Sequence, residues 1–414
     1  MTTVDLWTQE FQTNPYPIYS RLRELAPVHR VRGPMGADFW LITRYEDARA
    51  ALTDPRLSKE PRHTPEWLRR IGAASEGEGP SGKNMLSSDP PDHTRQRRLV
   101  SKAFTRGRVE ALRPRVQQIT DALLDAMAAG DEADLVSAFA VPLPVTVICE
   151  LLGLPETDRD RLHAWTDALE RPTFTEDDVL ARKTAATEFR AYVTEQLAEI
   201  RAAVDPGLPP EQQPGLLASL IAGAGAGDGL SELELIGMTL LLTIAGHETT
   251  VNLIGNGMLA LLTHPEQLAL LKSDPSLLGP AIEEMLRYDG PVERSTIRVS
   301  TEDVEFSGVT IPAGSVVYVS INSADRDSAR FPDADRFDIT RFAGGGEVGH
   351  VAFGHGVHFC LGVPLARLEG QIAFGSLLRR FPDITLAVDP AELGWRGSGD
   401  SILRGLTRLP VRLR

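Results

Sequence analysis

Cysteine is scarce in this chain, and its scarcity excludes several kinds of site. The 414 residues include only two cysteines, Cys149 and Cys360. A disulfide framework is typical of small secreted domains rich in cysteine, and a structural zinc site needs further cysteines or histidines at short spacing. Cys149 lies in the apolar stretch 145–152, which indicates a buried and inert thiol. Any thiol chemistry therefore depends on Cys360.

Basic charge and targeting signals are also lacking. The 43 Lys and Arg residues stand against 57 Asp and Glu residues, a net charge of −14, which argues against general nucleic-acid binding because that function needs a basic surface. The N-terminus has neither the basic nor the apolar region of a secretory signal, so we expect a cytoplasmic protein. No internal repeat or long low-complexity linker divides residues 1–414, which are expected to form a single domain.

Local patterns predict a mainly helical fold with a minor sheet component. Residues 17–24 and 45–52 are expected to be helical, with a short strand at 39–42 between them. Residues 60–81 are rich in Gly, Pro, Ser and charge, which predicts a loop, and helical signals dominate 89–201. The remaining expectations are β-type runs at 296–299, 304–306, 309–311 and 316–321, a helix at 363–380, and a small hairpin at the end of the chain.

One predicted helix is unusually long and has polar residues in its middle. Ser231 and Glu234 form a capping box at its start, and apolar residues continue to about Leu262. At 1.5 Å per residue such a helix is roughly 45–50 Å long. A membrane span would need roughly 20 uninterrupted apolar residues, but residues 247–250 are His-Glu-Thr-Thr. The pattern therefore predicts a core helix whose polar interruption needs a reason.

The most specific motif is Phe-Gly-His-Gly-Val-His-Phe-Cys-Leu-Gly at residues 353–362. Glycine permits positive φ angles and close approach of the backbone to a flat ligand. A cysteine just before a helix receives the positive end of the helix dipole, which favours the thiolate. A single thiolate can be the axial ligand of a heme, where its electron donation promotes cleavage of the O–O bond. The alternative is a glycine-rich turn with an incidental cysteine.

This string has the form Phe-x-x-Gly-x-His-x-Cys-x-Gly and resembles the heme-binding signature of the cytochrome P450 heme-thiolate monooxygenases. The resemblance covers essentially the whole chain and is greatest to soluble actinobacterial members that tailor polyketides, macrolides and other secondary metabolites. It implies the mainly α cytochrome P450 fold, a triangular helical prism with a small β-rich lobe. It also implies heme b (iron protoporphyrin IX) as the cofactor.

The resemblance assigns residues to this heme. Cys360 would be the axial ligand of the iron, with Phe353 packed near the thiolate. The cations expected to hold the heme propionates are His93, Arg97, Arg298 and His358. For any one of these four, the alternative is a solvated basic residue. The other residues expected to contact the cofactor are Gly354, Gly362 and Ala245.

Residues 245–249, Ala-Gly-His-Glu-Thr, resemble the family's distal-helix motif, in which an acid stands next to an alcohol. Dioxygen activation consumes two protons, so we expect Glu248 and Thr249 to deliver them. Thr249 can also bond back to the carbonyl group of Ala245, which would bend the helix. The alternative is a buried polar patch satisfied between helices.

Glu284 and Arg287 form an i,i+3 pair of a kind that is commonplace on helix surfaces. The pair resembles the family's Glu-x-x-Arg motif, which a third arginine completes. We expect that arginine to be Arg336, in the segment Asp-Ala-Asp-Arg-Phe at 333–337, although Asp333 stands where the family more often has Pro. The implied role is structural, with buried charges held together beneath the heme.

The substrate pocket should be lined from several segments of the chain. The expected lining residues are Met85, Leu86, Leu242, Ala245, Gly246, Val292, Glu293 and Ile402. Glu293 stands at a position that is usually apolar, so it would either meet a basic or hydroxyl-rich substrate or turn to solvent. The expected reaction is the hydroxylation or epoxidation of a small organic molecule.

Electrons must come from other proteins, because no glycine-rich dinucleotide motif follows a strand and no flavin domain is appended. We expect a ferredoxin and its NAD(P)H-dependent reductase as partners of a monomer. A basic docking patch for an acidic ferredoxin could include Arg95, Arg98, Lys102, Arg106 and Arg108. Two other functions stay open. The first is a peroxide-driven heme-thiolate enzyme, which does not need the acid–alcohol pair. The second is a heme sensor or carrier, which would require an output module or an iron whose coordination is closed.

Overall fold

The structure is a computed structural model, and it describes residues 6–33, 38–70, 82–102, 104–171, 175–224, 229–345, 348–396 and 401–414. Contacts divide the chain into two compact units. The first unit comprises Met1–Ser58, Leu112–Val141 and Thr249–Arg414, and the second comprises Lys59–Ala111 and Pro142–Glu248. The single domain expected for residues 1–414 stays a prediction.

Helices make up most of the regular structure. In chain order they are α1 (Gln9–Thr13), α2 (Tyr16–Leu25), α3 (Tyr45–Thr53), α4 (Glu66–Arg70), α5 (Asp92–Ser101), α6 (Arg106–Ala111), α7 (Arg113–Met127), α8 (Pro142–Leu152), α9 (Arg159–Glu170), α10 (Glu176–Ala203), α11 (Gly215–Gly223), α12 (Glu232–Thr263), α13 (Pro265–Ser273), α14 (Leu278–Tyr288), α15 (Ile321–Asp325) and α16 (Val363–Arg380). A π-helical turn, Val136–Ala140, lies between α7 and α8. The helices predicted at 17–24, 45–52 and 363–380 are confirmed within one residue at each end.

The strands are short and belong to the first unit. They are β1 (Val28–Arg32), β2 (Asp38–Ile42), β3 (Leu57–Ser58), β4 (Glu132–Asp134), β5 (Arg298–Ser300), β6 (Val304–Phe306), β7 (Val309–Ile311), β8 (Val316–Val319), β9 (Thr385–Leu386), β10 (Trp395–Arg396), β11 (Gly405–Leu406) and β12 (Pro410–Arg412). Five of them form a sheet in the order β1-β2-β8-β5-β3. Within it β2 and β8 run parallel, so that Trp40 lies beside Val317, and the other neighbours are antiparallel.

Apolar packing around this sheet organises the first unit. A buried cluster includes Ile42 of β2, Val317 and Val319 of β8, Ala48 of α3 and Ala324 of α15. The run Val-Val-Tyr-Val of β8 is nearly continuous in its burial, which is typical of strands covered on both faces. Fully burying one such side chain contributes about 1.5–3 kcal/mol. The sheet therefore shares one apolar core with α3 and α15.

The second unit is helical in the part of the chain that the structure describes. Its helix α8 is buried over most of its circumference, from Leu143 through Cys149, as expected for a helix inside a core. A capping box of Thr175 and Asp178 starts α10. The rings of Trp165 on α9 and Phe189 on α10 are stacked, with centroids 5.6 Å apart.

The long predicted helix is confirmed as α12. The backbone N–H of Ser231 donates to Oε2 of Glu234 at 2.9 Å, and the N–H of Glu234 donates to Oγ of Ser231 at 3.3 Å, which completes the predicted capping box. Among the described residues, no helix is both long and apolar enough to cross a membrane.

Some local predictions were wrong. The predicted loop at 60–81 contains the helix α4, while its residues 71–81 lie outside the described ones. The small hairpin predicted at the end of the chain is confirmed as β10 and β11, which pair antiparallel and have Ile402 between them in sequence. The last strand, β12, instead pairs with β4 and β9. Helices α5 to α10 confirm that helical structure dominates 89–201, although the short strand β4 lies within that stretch. The pairing of β12 with β4 joins segments far apart in sequence, so no local pattern reports it.

Candidate functional site

Residues 351–362 form a tight loop that presents the thiol of Cys360. The backbone N–H of Cys360 donates to the carbonyl oxygen of Phe353 at 2.9 Å, and Gly354 N–H donates to the Val351 carbonyl oxygen at 2.7 Å. The N–H of Phe359 closes a further turn onto the Gly356 carbonyl oxygen at 3.0 Å. Cys360 is exposed and stands three residues before α16.

Two of the loop's glycines are required by the backbone. Gly354 and Gly356 have φ angles of +72° and +75°, in the left-handed region that other residues rarely adopt. A Cβ atom at Gly356 would also lie 2.9 Å from Cγ2 of Thr53. Gly362 differs, because its φ is −78° and an added Cβ would make only an ordinary 3.7 Å contact with Sγ of Cys360. The prediction of positive φ is thus confirmed at two of the three glycines flanking the cysteine.

The donor set at Cys360 fits a heme better than a multi-ligand metal site. Over the described residues, three or more potential metal ligands gather in one place only, at His163, His247 and Glu248, and Cys360 is not among them. A closed zinc or iron–sulfur site needs several ligands together, whereas an axial heme ligand is a single accessible sulfur atom. The other thiol is unsuitable, because burial raises the pKa of Cys149 to about 12. Its predicted burial is confirmed, at 0% exposure.

A charged network that the sequence did not indicate lies behind this loop. Glu283 on α14 accepts hydrogen bonds from Arg367 of α16, at 2.6 and 2.8 Å, and lies 3.1 Å from Nε2 of His350. The Arg367 guanidinium lies 5.4 Å from the ring centre of Phe353, and the His350 ring lies 6.0 Å from it. Burial raises the pKa of Glu283, but His350 and Arg367 outweigh burial and lower it. Two partners of one carboxylate therefore both lie close to the Phe353 ring.

The proposed propionate ligands occur in both units. In the first unit, Arg298 on β5 is buried and donates to the carbonyl oxygens of Leu57 and Leu52 at 3.3 and 3.4 Å, and His358 lies half-buried in the cysteine loop. In the second unit, His93 and Arg97 lie one turn apart on α5. Burial, followed by the positive charges of Arg97 and Lys59, lowers the pKa of His93. The two side chains are therefore close enough for the charge of Arg97 to act on the His93 ring.

Helix α12 is accessible in the middle of an otherwise buried stretch. Ala245 is exposed and Gly246 and Thr249 are half-buried, while Leu242 and Glu248 are buried. The predicted polar interruption therefore coincides with a change in burial. Gly246 is required for packing, because an added Cβ would lie 2.5 Å from Cδ1 of Ile148 on α8.

The carboxylate of Glu248 is held by side chains of the second unit. Its Oε1 accepts a hydrogen bond from Thr166 Oγ1 at 2.9 Å and lies 3.1 Å from Nε2 of His247 and 3.3 Å from Nδ1 of His163. Burial raises the pKa of Glu248, but the two imidazoles outweigh burial and hold that pKa well below its usual range. The sequence contained no signal for His163 or Thr166, which lie about 80 residues away on α9.

The candidate substrate residues occur in small groups. Met85 is buried and Leu86 is half-buried in a short turn before α5. Val292 pairs with Leu403, and the N–H of Glu293 donates to the Ile402 carbonyl oxygen at 2.9 Å, so the segments around 292 and 402 lie together. The side chain of Glu293 is 1% exposed and accepts a hydrogen bond from the Tyr19 hydroxyl at 2.9 Å. Turning to solvent, one of its two expected positions, is therefore wrong, because Tyr19 holds this acid inside the unit.

The third arginine of the Glu284–Arg287 pair is Arg341, and the prediction of Arg336 was wrong. Nε and Nη2 of Arg287 donate to the Glu284 carboxylate at 2.7 and 2.8 Å. Nε of Arg341 donates to the same carboxylate at 3.1 Å. The Arg336 side chain is 65% exposed and lies 4.0 Å from Asp338. Only its carbonyl oxygen takes part, as an acceptor from Arg287 at 3.2 Å. The turn at 333–336 directs the Arg336 side chain outward, and the following turn brings Arg341 back.

Known proteins resemble this chain over nearly its full length. Residues 275–389 match the family model described as cytochrome P450. Cytochrome P450 107B1 of Saccharopolyspora erythraea is 51% identical over 95% of this chain and 94% of its own length. Cytochrome P450 monooxygenase PikC of Streptomyces venezuelae is 48% identical over 98% of this chain and 92% of its own length.

A solved structure supports the same relationship. The cytochrome P450 PksS of the bacillaene polyketide synthase from Bacillus subtilis superposes with a TM-score of 0.87 at 38% identity, covering 99% of this chain and 100% of that one. Identities this high over nearly whole chains show membership of one family and not only a shared fold. The chain belongs to the cytochrome P450 family, and it is a monooxygenase of the heme-thiolate type.

Proposed function

We propose that Cys360 is the axial ligand of the heme iron and that the enzyme hydroxylates or epoxidises a polyketide, macrolide or similar secondary metabolite. The observation that carries the ligand assignment is the exposed thiol of Cys360 on a loop shaped by Gly354 and Gly356. When bound, the heme supplies the activation of dioxygen. The substrate class is supported by the relatives' names, which include a polyketide synthase P450.

The first experiment is an absorption spectrum of the reduced protein with carbon monoxide, recorded beside Cys360→Ala. A strongly red-shifted Soret band in the parent that is absent from the variant supports the assignment. The matched control is Cys149→Ala, which removes the buried thiol and should leave the band unchanged. A shifted band that survives in Cys360→Ala would reject Cys360 as the ligand.

Four cations are proposed to hold the heme propionates: His93, Arg97, Arg298 and His358. Support comes from their positions: Arg298 is buried on β5, His358 lies half-buried in the cysteine loop, and His93 and Arg97 lie one turn apart on α5. Phe353, Gly354, Gly362 and Ala245 would contact the same group. Variants such as Arg298→Leu should retain less heme after gel filtration than the parent.

Glu248 and Thr249 are proposed to deliver the protons that the reaction consumes. His163, whose side chain is 22% exposed, lies next to the Glu248 carboxylate and offers a connection to solvent. A positioned acid of this kind typically contributes about 10²–10⁴-fold. Thr249→Ala and Glu248→Gln should therefore form less product per NAD(P)H consumed and release more peroxide, while Thr249→Ser should retain coupling.

The substrate is proposed to contact Met85, Leu86, Leu242, Gly246, Val292 and Ile402. For Glu293 a role toward substrate would have to pass through Tyr19, because the Tyr19 hydroxyl already occupies its carboxylate. A screen of macrolides and polyketides by the Soret shift on binding, followed by turnover with oxygen, tests the substrate class. A protein that turns over only with peroxide would favour the peroxide-driven alternative, and one with no turnover would favour a carrier.

A ferredoxin and its NAD(P)H-dependent reductase are proposed as electron donors. Among the five basic residues predicted to dock the ferredoxin, Arg95 is engaged elsewhere, since it donates to Glu234 and to the Gly229 carbonyl oxygen. Arg98, Lys102 and Arg106 are exposed, so they carry the proposal. The cytoplasmic location and the monomeric state stay predictions.

A further inference from the structure

Two histidines, a glutamate and a threonine meet inside the second unit. His163 and Thr166 come from α9, and His247 and Glu248 come from α12. Nδ1 of His163, Nε2 of His247 and an oxygen of Glu248 all lie within 4.8 Å of one another. His247 is 0% exposed and Glu248 is 3% exposed. The family resemblance accounts for the acid at 248 but not for the two imidazole nitrogens facing it.

The protonation of His247 can be derived from its partners. Its Nδ1 lies 2.6 Å from the carbonyl oxygen of Thr243, which can only accept, so Nδ1 carries a proton. The other nitrogen, Nε2, faces the Glu248 oxygen at 3.1 Å, where it either donates a proton to that oxygen or, in the neutral ring, offers a lone pair to a metal. The carbonyl hydrogen bond is the arrangement that orients histidines which bind metals through their other nitrogen.

When the His247 ring is neutral, the cluster has more acceptors than donors. The Thr166 hydroxyl has one proton to donate, yet three acceptors surround it: the His163 carbonyl oxygen at 3.0 Å, Nε2 of His247 at 3.0 Å and Oε1 of Glu248 at 2.9 Å. Nδ1 of His163 is buried at 3.3 Å from Oε1, but in a direction that makes no hydrogen bond. A cation at the centre would take the lone pairs of the two imidazole nitrogens and the Glu248 oxygen, and the Thr166 hydroxyl could then donate to the His163 carbonyl oxygen.

We propose that His163, His247 and Glu248 bind one divalent transition-metal ion of the zinc class. Tetrahedral zinc with bonds of about 2.0–2.1 Å places its ligand atoms about 3.3 Å apart, close to the observed 3.3 and 3.1 Å from Oε1 to the two nitrogens. Imidazole nitrogens favour zinc, copper or nickel over magnesium or calcium, which need six or more oxygens. The partly exposed ring of His163 provides the entry route.

A metal bound here would hold the carboxylate of Glu248 and block the proton path. This consequence rests on the proposed function, because it requires Glu248 to deliver protons. Binding of the metal does not depend on that role. Zinc would therefore inhibit turnover reversibly, and a chelator would restore it, while binding itself is measured without turnover.

The test uses the heme-loaded enzyme, stripped of loose metal and titrated with Zn²⁺ by calorimetry, followed by X-ray absorption at the zinc edge. We expect one ion per chain with two imidazoles and oxygen at about 2.0–2.1 Å and no sulfur at about 2.3 Å. His163→Gln should lower the affinity at least about 100-fold, since even loss of a supporting group costs 10–100-fold. His63→Gln, a histidine of the same unit outside the cluster, should bind as the parent does.

Several outcomes would overturn the site. Absence of binding would mean that a proton alone satisfies the cluster, and a sulfur neighbour would place zinc at a cysteine. Equal affinities of His163→Gln and the parent would place zinc on the surface. If His163→Gln does not fold, the absorption spectrum of the parent still decides the ligands. If zinc binds but does not inhibit turnover, the metal site is supported and the proposed role of Glu248 in proton delivery is contradicted.

Discussion

Several ionisable side chains of this protein are buried. Glu369 on α16 is 0% exposed, and among the described residues neither of its carboxylate oxygens has a hydrogen-bond partner. Burial therefore raises its pKa from an ordinary 4.5 to about 8. Between these values the unfolded chain releases a proton that the folded chain retains, so stability falls as the pH rises through this window.

Glu369→Gln should remove this part of the pH dependence. Between pH 4.5 and pH 8, the unfolding free energy of the parent should fall relative to that of the variant by up to about 1.4 kcal/mol per pH unit. Above pH 8 the difference between the two proteins should stay constant. Urea unfolding at a series of pH values measures the difference. Glu305→Gln, at an exposed glutamate of β6, serves as the control. Parallel pH profiles of Glu369→Gln and the parent would contradict the raised pKa.

The arginine pair at 336 and 341 gives a second test at the level of single residues. Arg341→Ala removes one of two arginines from the fully buried Glu284 carboxylate, and loss of a hydrogen bond to a charged group costs about 1.5–3 kcal/mol. Arg336→Ala removes an exposed side chain and should change stability by less than about 0.5 kcal/mol. Thermal unfolding of the two variants compares them directly. A larger loss for Arg336→Ala would restore the original prediction.

At the scale of elements, α12 shows how close packing follows from small residues. An added Cβ at Gly237 would lie 2.3 Å from the backbone carbonyl oxygen of Lys83, which cannot rotate away as a side chain does. The helix can therefore approach the segment before α5 only because position 237 has no side chain. The capping box at Ser231 and Glu234 fixes where that helix begins.

Gly237→Ala should destabilise the protein by about 1–3 kcal/mol, because the backbone around Lys83 must move. Gly279→Ala on α14 is the matched control, since nothing lies within 4 Å of its added Cβ, and alanine favours a helix by up to about 1 kcal/mol. Chemical unfolding at one pH compares both variants with the parent. Equal stability of Gly237→Ala and the parent would contradict the close approach.

At the scale of the whole molecule, net charge affects how fast protein partners associate with the chain. The chain carries a net charge of −14, so an acidic ferredoxin would be repelled except at a local basic surface. Arg98, Lys102 and Arg106 provide exposed positive charge within a short stretch of the second unit. The remaining basic residues predicted there are partly engaged, as Arg108 donates to the Glu211 carbonyl oxygen at 3.2 Å.

Reversing charge at Arg98, Lys102 and Arg106 to glutamate should slow reduction by ferredoxin about tenfold at low salt and flatten its salt dependence. Stopped-flow reduction at several ionic strengths measures both effects. The control reverses three exposed basic residues elsewhere, Arg21, Lys183 and Arg408. If the two triple variants behave alike, the proposed docking patch is wrong.

Prediction from sequence succeeded where the physical cause is local. The capping box of α12, the positive φ angles of Gly354 and Gly356 and the helix after Cys360 all follow from neighbouring residues. It failed for the partners of the last strand, since β12 joins β4 from a segment nearly 280 residues earlier. Periodicity carries no information about such partners, because it describes one segment at a time.

The same division applies to the candidate site. The amino-acid order alone was enough to single out Cys360, Glu248 and Thr249, because each of them belongs to a short motif that indicates its chemistry. Only the tertiary structure showed that Arg341 completes the Glu284 pair and that His163 faces Glu248. The physical reason is that a buried charge takes whichever partner the packing of remote elements brings within a few ångströms, and that distance exists only after the chain has folded.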